Sequence, residues 1–228
     1  MRRQIPLPKE TISGIGGQTE YSTRKAHKKV KIFFADQQKQ LSKHLLELKS
    51  SGIIPYQESA VKHKVSRQII PCRFSEISFE SFFDYKIFPS RILTAHPQWA
   101  EENRGMQAGD TIVQQINIPP FSALSQRFVA GVRIKEVFNR DNCKGFSYET
   151  LKGHIEKGIS IFKIEPEKDF SAFTVETYSA PAISWLKPLQ LFSSLYQDYC
   201  TQKAILNTIS GLKPQYASPS PDSPAETK

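Results

Sequence analysis

The stretch GFSYETLKGHIEKGISIFKI, residues 145–164, decides the fold that this sequence predicts. In its first half, aromatic or β-branched side chains recur at every second position, namely Phe146, Tyr148 and Thr150. This period of two is typical of a β-strand whose two faces differ, and residues 159–164 repeat it. Gly153 and Gly158 lie between the two halves, and glycine readily adopts the positive φ that a chain reversal needs. The stretch therefore predicts a β-hairpin.

Alternating segments flank this hairpin on both sides. Residues 110–118 and 127–139 precede it and residues 173–178 follow it, each with apolar side chains at every second position. Pro119-Pro120 ends the first segment, and short polar turns join the others. Five consecutive strands joined in this way predict an antiparallel meander.

Ahead of the meander the sequence predicts mostly helices. Residues 24–51 are expected to form a helix, because three leucines share one face and Gly52 ends the pattern. Those leucines are Leu41, Leu45 and Leu48. Residues 79–83 and 90–103 predict two short helices. They follow a short strand near Ile69 and Ile70 that Pro71 restricts to a sheet edge.

A long amphipathic helix is predicted over residues 184–211. Apolar and aromatic side chains recur there at spacings of three and four, among them Leu189, Phe192, Tyr196, Tyr199, Leu206 and Ile209. Ser184 is a candidate N-cap, and Gly211 with Pro214 ends the pattern. The serines and prolines of residues 213–228 predict a disordered tail.

The charge divides the chain unevenly. The net charge is +9, and residues 1–70 hold 14 Lys/Arg against 5 Asp/Glu, so 14 − 5 = +9 falls in this part. We therefore predict three parts: a basic N-terminal segment with one helix (1–64), a main domain (65–212) and the tail (213–228). A basic segment of this kind can bind an anionic partner such as nucleic acid or a membrane surface, although a solvated surface explains it equally simply.

Cysteine usage and hydropathy bear on the compartment. Cys72, Cys143 and Cys200 are odd in number and far apart, which fits neither a disulfide framework nor a zinc site. No apolar run approaches a membrane span, and the opening MRRQIPLPKE lacks the apolar block of a signal peptide. The sequence thus predicts a cytoplasmic protein with no metal and no cofactor.

Several motifs carry a resemblance to a known family. The string GFSYETLKGH at residues 145–154, the segment MQAGDTIVQ at 106–114 and the triplet GVR at 131–133 resemble the uncharacterised proteins of domain-of-unknown-function family nineteen-ninety. The resemblance extends from about Ile69 to Leu212, whereas residues 1–64 depart from the pattern. The order of elements also resembles the helix-grip fold of the START and birch-pollen-allergen superfamily. That resemblance implies an α+β fold in which a curved antiparallel sheet wraps a long C-terminal helix.

The first functional hypothesis is the binding of a hydrophobic small molecule or lipid between the sheet and the last helix. The apolar strand faces would line such a site with a few polar groups among them, which is the usual composition of ligand pockets. The candidate ligand-binding residues are Gln114, Phe128, Val132, Ile134, Phe146, Tyr148, Thr150 and Phe173. The alternative for the same side chains is that they fill the core.

Two other hypotheses stay open at the level of sequence. An enzyme could use Glu149, His154 and Tyr148 as acid and base groups, since histidine titrates near neutral pH. His154 lies at a predicted turn, however, where a histidine commonly bonds to backbone. No nucleophile elbow, phosphate loop or dinucleotide fingerprint is present, which favours a protein without catalytic activity. The other hypothesis is an interaction module that docks through the basic segment.

Overall fold

The fold is described from a computed structural model that covers residues 30–120, 125–182 and 190–212, without the side chains of residues 190–196. Residues 1–29 and the predicted tail lie outside this description, as do Ser184, Leu189, Phe192 and Tyr196 of the predicted helical stripe. The described residues form an α+β structure built on an eight-stranded antiparallel sheet.

Eight strands and four α-helices make up the described structure. The strands are β1 Lys31–Phe33, β2 Lys62–Ile70, β3 Leu93–Pro97, β4 Thr111–Ile118, β5 Gln126–Arg140, β6 Cys143–Thr150, β7 Glu156–Pro166 and β8 Ser171–Pro181. The helices are α1 Leu41–Lys49, α2 Glu80–Phe83, α3 Gln98–Glu101 and α4 Gln190–Gly211. Single turns of 3₁₀ helix occur at Gln38–Gln40, Glu58–Ala60 and Phe74–Glu76.

The sheet has the order β2-β8-β7-β6-β5-β4-β3, and β1 pairs with β5 beside this path. Strands β4 to β8 follow one another as neighbours, so the predicted five-stranded antiparallel meander is confirmed. The strand predicted near Ile69 is β2, which pairs only with β8 and lies at an edge, as Pro71 indicated.

The hairpin predicted from residues 145–164 is the pair β6 and β7, with Phe146 opposite Phe162. Gly153 and Gly158 have φ values of 97° and 142°, so both glycines adopt the positive φ that the sequence predicted. Gly158 also approaches the neighbouring strand closely, because a Cβ placed on it would lie 1.8 Å from the carbonyl oxygen of Tyr178. Only glycine fits at this position.

Two helix predictions were wrong in part. The predicted helix over 24–51 begins only at Leu41, because residues 31–33 form strand β1 against β5. The predicted helix over 90–103 is instead strand β3 followed by the single helical turn α3. Pro97, the last residue of β3, starts the helical turn without needing a hydrogen-bond donor. The strand forms because β4 offers a free edge that β3 occupies.

The two faces of the sheet are covered differently. On one face, here called the α1 face, Leu41, Leu45 and Leu48 of α1 form a small core with Val113, Val129 and Leu151. On the other, here called the α4 face, a larger core joins the sheet to residues around α2 and to α4, including Ala204 and Ile205. Helix α1 therefore packs on the sheet of its own chain. The division of the chain at residues 64 and 65 stays a prediction.

Candidate functional site

A cavity of about 520 Å³ lies on the α4 face of the sheet. Its floor is formed by side chains from six strands, and its roof includes Gln197, Cys200, Thr201 and Ala204 of α4. Because α4 crosses the sheet without filling the space beneath it, the described part of the chain encloses room for a small molecule. The volume lies within the range of about 300–1,000 Å³ that is usual for ligand pockets.

The side of the cavity toward β3 and β4 is apolar except for Gln114 of β4. Leu93 of β3 and Ile116 of β4 are opposite each other in the sheet, and both line the cavity. Further apolar side chains of the lining are Phe88, Ile92, Ile118, Phe162, Val175 and Ala204. Apolar ligand atoms are favoured there, because moving apolar surface out of water and against such side chains lowers the free energy.

The side toward β2 carries a row of polar side chains that crosses four strands. Tyr148 of β6 lies opposite Ser160 of β7, Ser160 lies opposite Thr177 of β8, and Thr177 lies opposite Lys64 of β2. All four residues line the cavity. We call them the polar row. The neighbouring row, from Phe146 and Phe162 to Val175 and Ser66, is mainly apolar.

His154 and Glu156 lie where the hairpin turn leads into β7, beside the polar row, and both line the cavity. The backbone N–H of Glu156 donates a hydrogen bond to His154 Nδ1 over 3.0 Å. Nδ1 also lies 3.0 Å from the Glu156 carbonyl oxygen, so it accepts from the amide in one tautomer and donates to the carbonyl in the other, and Nε2 takes the complementary role. Burial lowers the pKa of His154 to about 4, so the ring is neutral at neutral pH. The prediction that this turn histidine bonds to backbone is confirmed.

The Glu156 carboxyl group is held by α4. Gln197 Nε2 donates a hydrogen bond to Glu156 Oε1, which links the start of β7 to the helix above it. Burial raises the pKa of Glu156, and the Gln197 hydrogen bond and the Lys64 charge offset this only in part. Lys64 itself forms an ion pair with Asp198 of α4. The Lys64 charge near Glu156 is therefore already paired with Asp198.

A buried hydrogen bond lies beside the polar row. Gln114 Nε2 donates to the hydroxyl of Tyr85 over 2.7 Å. The Tyr85 ring packs edge-on against the Tyr148 ring, with 6.0 Å between centroids. Burial raises the pKa of both tyrosines, so both hydroxyl groups keep their protons at neutral pH. Contacts of the Tyr148 ring with Tyr85 and Phe162 hold its side chain at the cavity wall.

The eight candidate ligand-binding residues fall into three groups in the structure. Gln114 and Tyr148 line the cavity. Thr150 is buried at the hairpin, where its hydroxyl accepts a hydrogen bond from the Gly158 amide over 3.1 Å. The other five belong to the buried core on the α4 face and are absent from the cavity lining; they are Phe128, Val132, Ile134, Phe146 and Phe173.

Sequence reasoning missed most of the polar side chains at this site. Ser160 and Thr177 occupy alternating strand positions. Alternation predicts the face of the sheet on which a side chain lies, but it does not predict which positions on that face line a cavity. Lys64 was assigned to the N-terminal segment, and neither Gln197 nor Glu156 was among the candidate ligand-binding residues. The cross-strand register, which pairs residues distant in the chain, brings them together.

The acid and base groups of the enzyme hypothesis do not converge. Tyr148 and His154 line the cavity, whereas the Glu149 carboxylate accepts hydrogen bonds from Tyr56 at 2.9 Å and Lys135 at 3.2 Å. Glu149 follows Tyr148 directly, so its side chain points to the opposite face of the sheet. Burial also raises the pKa of the Cys143 thiol, which disfavours the reactive thiolate.

Several basic side chains of the N-terminal segment have acidic partners within the chain. Ion pairs join Lys31 to Glu47 and Lys49 to Glu102. Arg67 is likewise paired, with Glu167. Docking of the segment to an anionic partner stays a prediction, since residues 1–29 lie outside the described structure.

Metal and membrane features were sought among the described residues. There, no group of three or more His, Cys, Asp or Glu side chains is arranged to hold a metal ion. Over the same residues, no helix is long and apolar enough to cross a membrane.

The sheet and its cavity define an α+β protein with a large antiparallel sheet that carries a ligand-sized space on one face. The chain belongs to the family described as Domain of unknown function (DUF1990), whose model matches residues 77–206. The match covers more than half of the 228 residues, so the family predicted from the sequence motifs is confirmed. No curated protein matches the chain.

Proposed function

We propose that this protein binds a hydrophobic small molecule or lipid in the cavity between the sheet and α4, and that sheet and helix together form a helix-grip arrangement. The observation that carries the proposal is a cavity of about 520 Å³ whose lining surface is largely apolar, with polar side chains from β2, β4, β6, β7, β8 and α4 among the apolar ones. Ligand sites commonly combine these features.

The size of the cavity suits a ligand with a single chain or a small ring system. At about 30 Å³ per non-hydrogen atom, the space holds on the order of 17 such atoms. A molecule that buries roughly 300 Å² of apolar surface there gains about 7 kcal/mol before the costs of association. A gain of this size supports reversible binding, as expected of a carrier or a sensor.

The location of the cavity also supports the proposal. Its lining comes from strands far apart in the sequence and from α4, which is held to the sheet by polar contacts such as the ion pair between Lys64 and Asp198. Ser81 and Asn207 add hydrogen bonds between α4 and the segment around α2. A helix attached in this way keeps a space open beneath it. We assign the binding function to the predicted domain of residues 65–212.

A cytoplasmic location is part of the proposal. It is supported by Cys72, Cys143 and Cys200, none of which forms a disulfide bond among the described residues. A reducing compartment keeps cysteines in this state.

Binding of the uncharged fluorescent probe N-phenyl-1-naphthylamine to the full chain tests the proposal. We expect saturable binding that Thr201→Phe weakens by about tenfold or more, equivalent to about 1.4 kcal/mol, because the added ring occupies the cavity. Leu206→Phe is the matched control, since Leu206 lies on the same helix and is 58% exposed. Native mass spectrometry of the gently purified protein should also show a retained molecule.

Two outcomes would contradict the proposal. The first is the absence of both a retained molecule and saturable probe binding. The second is probe binding that Thr201→Phe and Leu206→Phe leave equally unchanged, because the probe would then bind elsewhere on the protein.

A further inference from the structure

We propose that the ligand of this cavity carries an uncharged head group that both donates and accepts a hydrogen bond, a hydroxyl group in the simplest case. The head group binds at the polar row, between Tyr148, Ser160 and the neighbouring pair of His154 and Glu156. This inference rests on the proposed function, because it concerns the same cavity, and it names the chemical class of the ligand.

The first step is the position of the polar groups. Tyr148, Ser160 and Thr177 are direct neighbours across three strands, and each faces the cavity. The opposite side of the cavity, at Leu93 and Ile116, offers no side-chain hydrogen bond. A ligand with a polar end and an apolar end is therefore oriented with its polar end at β7 and β8.

The second step is the donors and acceptors available there. The Glu156 backbone occupies His154 Nδ1, which leaves Nε2 to donate or to accept according to the ring tautomer. Gln197 occupies Oε1 of Glu156, and the carboxyl group has a second oxygen that can accept. The hydroxyl groups of Tyr148 and Ser160 can act either way. A ligand hydroxyl group satisfies a donor and an acceptor of this set together.

The third step is charge. A carboxylate ligand would place a second negative charge near Glu156, whose own charge is already disfavoured by burial. An ammonium ligand would lie near the Lys64 charge, and it has no acceptor for the hydroxyl groups of Tyr148 and Ser160. Lys64 is paired with Asp198, so it is not a dedicated counter-ion for an anionic ligand. An uncharged head group avoids each of these costs.

A series of straight-chain ligands of nearly equal length tests the head group. Dodecan-1-ol, dodecanoate, dodecylamine and dodecyl methyl ether differ at one end only, and each competes with N-phenyl-1-naphthylamine for the full chain at pH 7. We expect the alcohol to bind about tenfold or more tighter than each of the other three. The ether accepts a hydrogen bond but cannot donate one, so it isolates the donor.

Variants of the cavity wall locate the head group. Ser160→Ala and Tyr148→Phe should each reduce the preference for the alcohol over the ether by about fivefold to tenfold, as expected for one lost hydrogen bond. Ser66→Ala is the matched control, because Ser66 lines the same cavity from the neighbouring, mainly apolar row. Ser210→Ala, at an exposed position of α4 outside the cavity lining, should leave probe binding unchanged and checks correct folding.

The outcomes separate this inference from the proposed function. If the probe binds and all four ligands compete equally, or if the carboxylate or the amine binds tightest, the head-group inference is overturned while binding in the cavity stands. An alcohol preference that Ser66→Ala reduces as much as Ser160→Ala would also overturn it. If neither probe nor ligand binds, the proposed function fails and this inference fails with it.

Discussion

The side-chain amide of Gln114 donates a hydrogen bond of 2.7 Å to the hydroxyl group of Tyr85, and this contact joins the centre of β4 to the loop after α2 inside the core. Gln114 is 2% exposed and Tyr85 is 3% exposed. Tyr85 adopts a φ of 61°, which is uncommon for a residue other than glycine. The contact supports the wall of the cavity, because the Tyr85 ring packs edge-on against the Tyr148 ring with 6.0 Å between centroids.

Removing the Tyr85 hydroxyl group should destabilise the protein. Tyr85→Phe leaves the buried Gln114 amide without its acceptor, so we expect the free energy of unfolding to fall by about 1–3 kcal/mol in urea titrations. Tyr199→Phe is the control, because Tyr199 lies at the surface of α4. The double variant Tyr85→Phe with Gln114→Met should recover part of the loss; equal stability of Tyr85→Phe and the wild type would contradict the role of this contact.

Gly158 should tolerate no side chain. Its φ of 142° and the carbonyl oxygen of Tyr178, 1.8 Å from an added Cβ, both oppose substitution. We expect Gly158→Ala to lower the free energy of unfolding by about 3 kcal/mol or more, from backbone strain and overpacking together. Gly105→Ala is the matched control, since nothing lies within 4 Å of its added Cβ. If both variants unfolded at similar temperatures, the close approach of Gly158 in β7 to the Tyr178 carbonyl oxygen in β8 would be contradicted.

His154 should make stability depend on pH. Its pKa is 6.5 as a free side chain and about 4 in the fold, so the unfolded state binds the proton first as the pH falls. The stabilisation by neutral His154 is therefore complete above pH 6.5 and is lost progressively between pH 6.5 and pH 4. At 1.36 kcal/mol per unit, the loss is about 3 kcal/mol.

The variant His154→Gln isolates this effect, because the glutamine cannot gain a proton yet can still accept from the Glu156 amide. The difference in unfolding free energy between wild type and His154→Gln should shrink as the pH falls from 6.5 to 4. Glu156 acts in the opposite direction: its raised pKa stabilises the fold at low pH, and this contribution is lost as the pH rises above 4.5. If the difference in unfolding free energy between wild type and His154→Gln did not change with pH, the burial of His154 would be contradicted.

Arg133 should hold α1 on the sheet. Its Nη2 donates to the carbonyl oxygen of Lys49 at 2.7 Å and contacts Thr111 Oγ1 at 3.2 Å. Lys49 ends α1, where helix carbonyl groups lack partners within the helix. We expect Arg133→Met to cost about 1.5–3 kcal/mol and to speed hydrogen exchange of the α1 amides. Arg140→Met, at the exposed end of the same strand, should leave both unchanged.

The sequence determined the meander, because alternation and glycine placement are local properties of the chain. The hairpin of residues 145–164, the positive φ of Gly153 and Gly158, and the family followed from residues close together in sequence. The helix predicted over 24–51 failed at its start because β5 offers residues 31–33 a sheet edge, a long-range partner that outweighs local propensity. Strand β3 replaces part of the helix predicted over 90–103 for the same reason, because β4 offers it a sheet edge.

The candidate site depended on tertiary structure more than the meander did. The period of two placed Gln114 and Tyr148 on the correct face, and both line the cavity. It could not distinguish cavity positions from core positions along the same face; Phe146 and Phe173, for which the sequence left ligand contact and core packing open, belong to the buried core. Where α4 leaves space is set by packing between distant elements.

By itself, then, the sequence determined which segments become the five central strands, where glycine turns the chain and which family the protein belongs to. Only the tertiary structure decided that Ser160, Thr177 and Lys64 form one row, that Gln197 holds Glu156 and that a cavity remains beneath α4. The physical reason is that strand period and turn chemistry act over a few residues, whereas register and helix packing join residues more than a hundred positions apart.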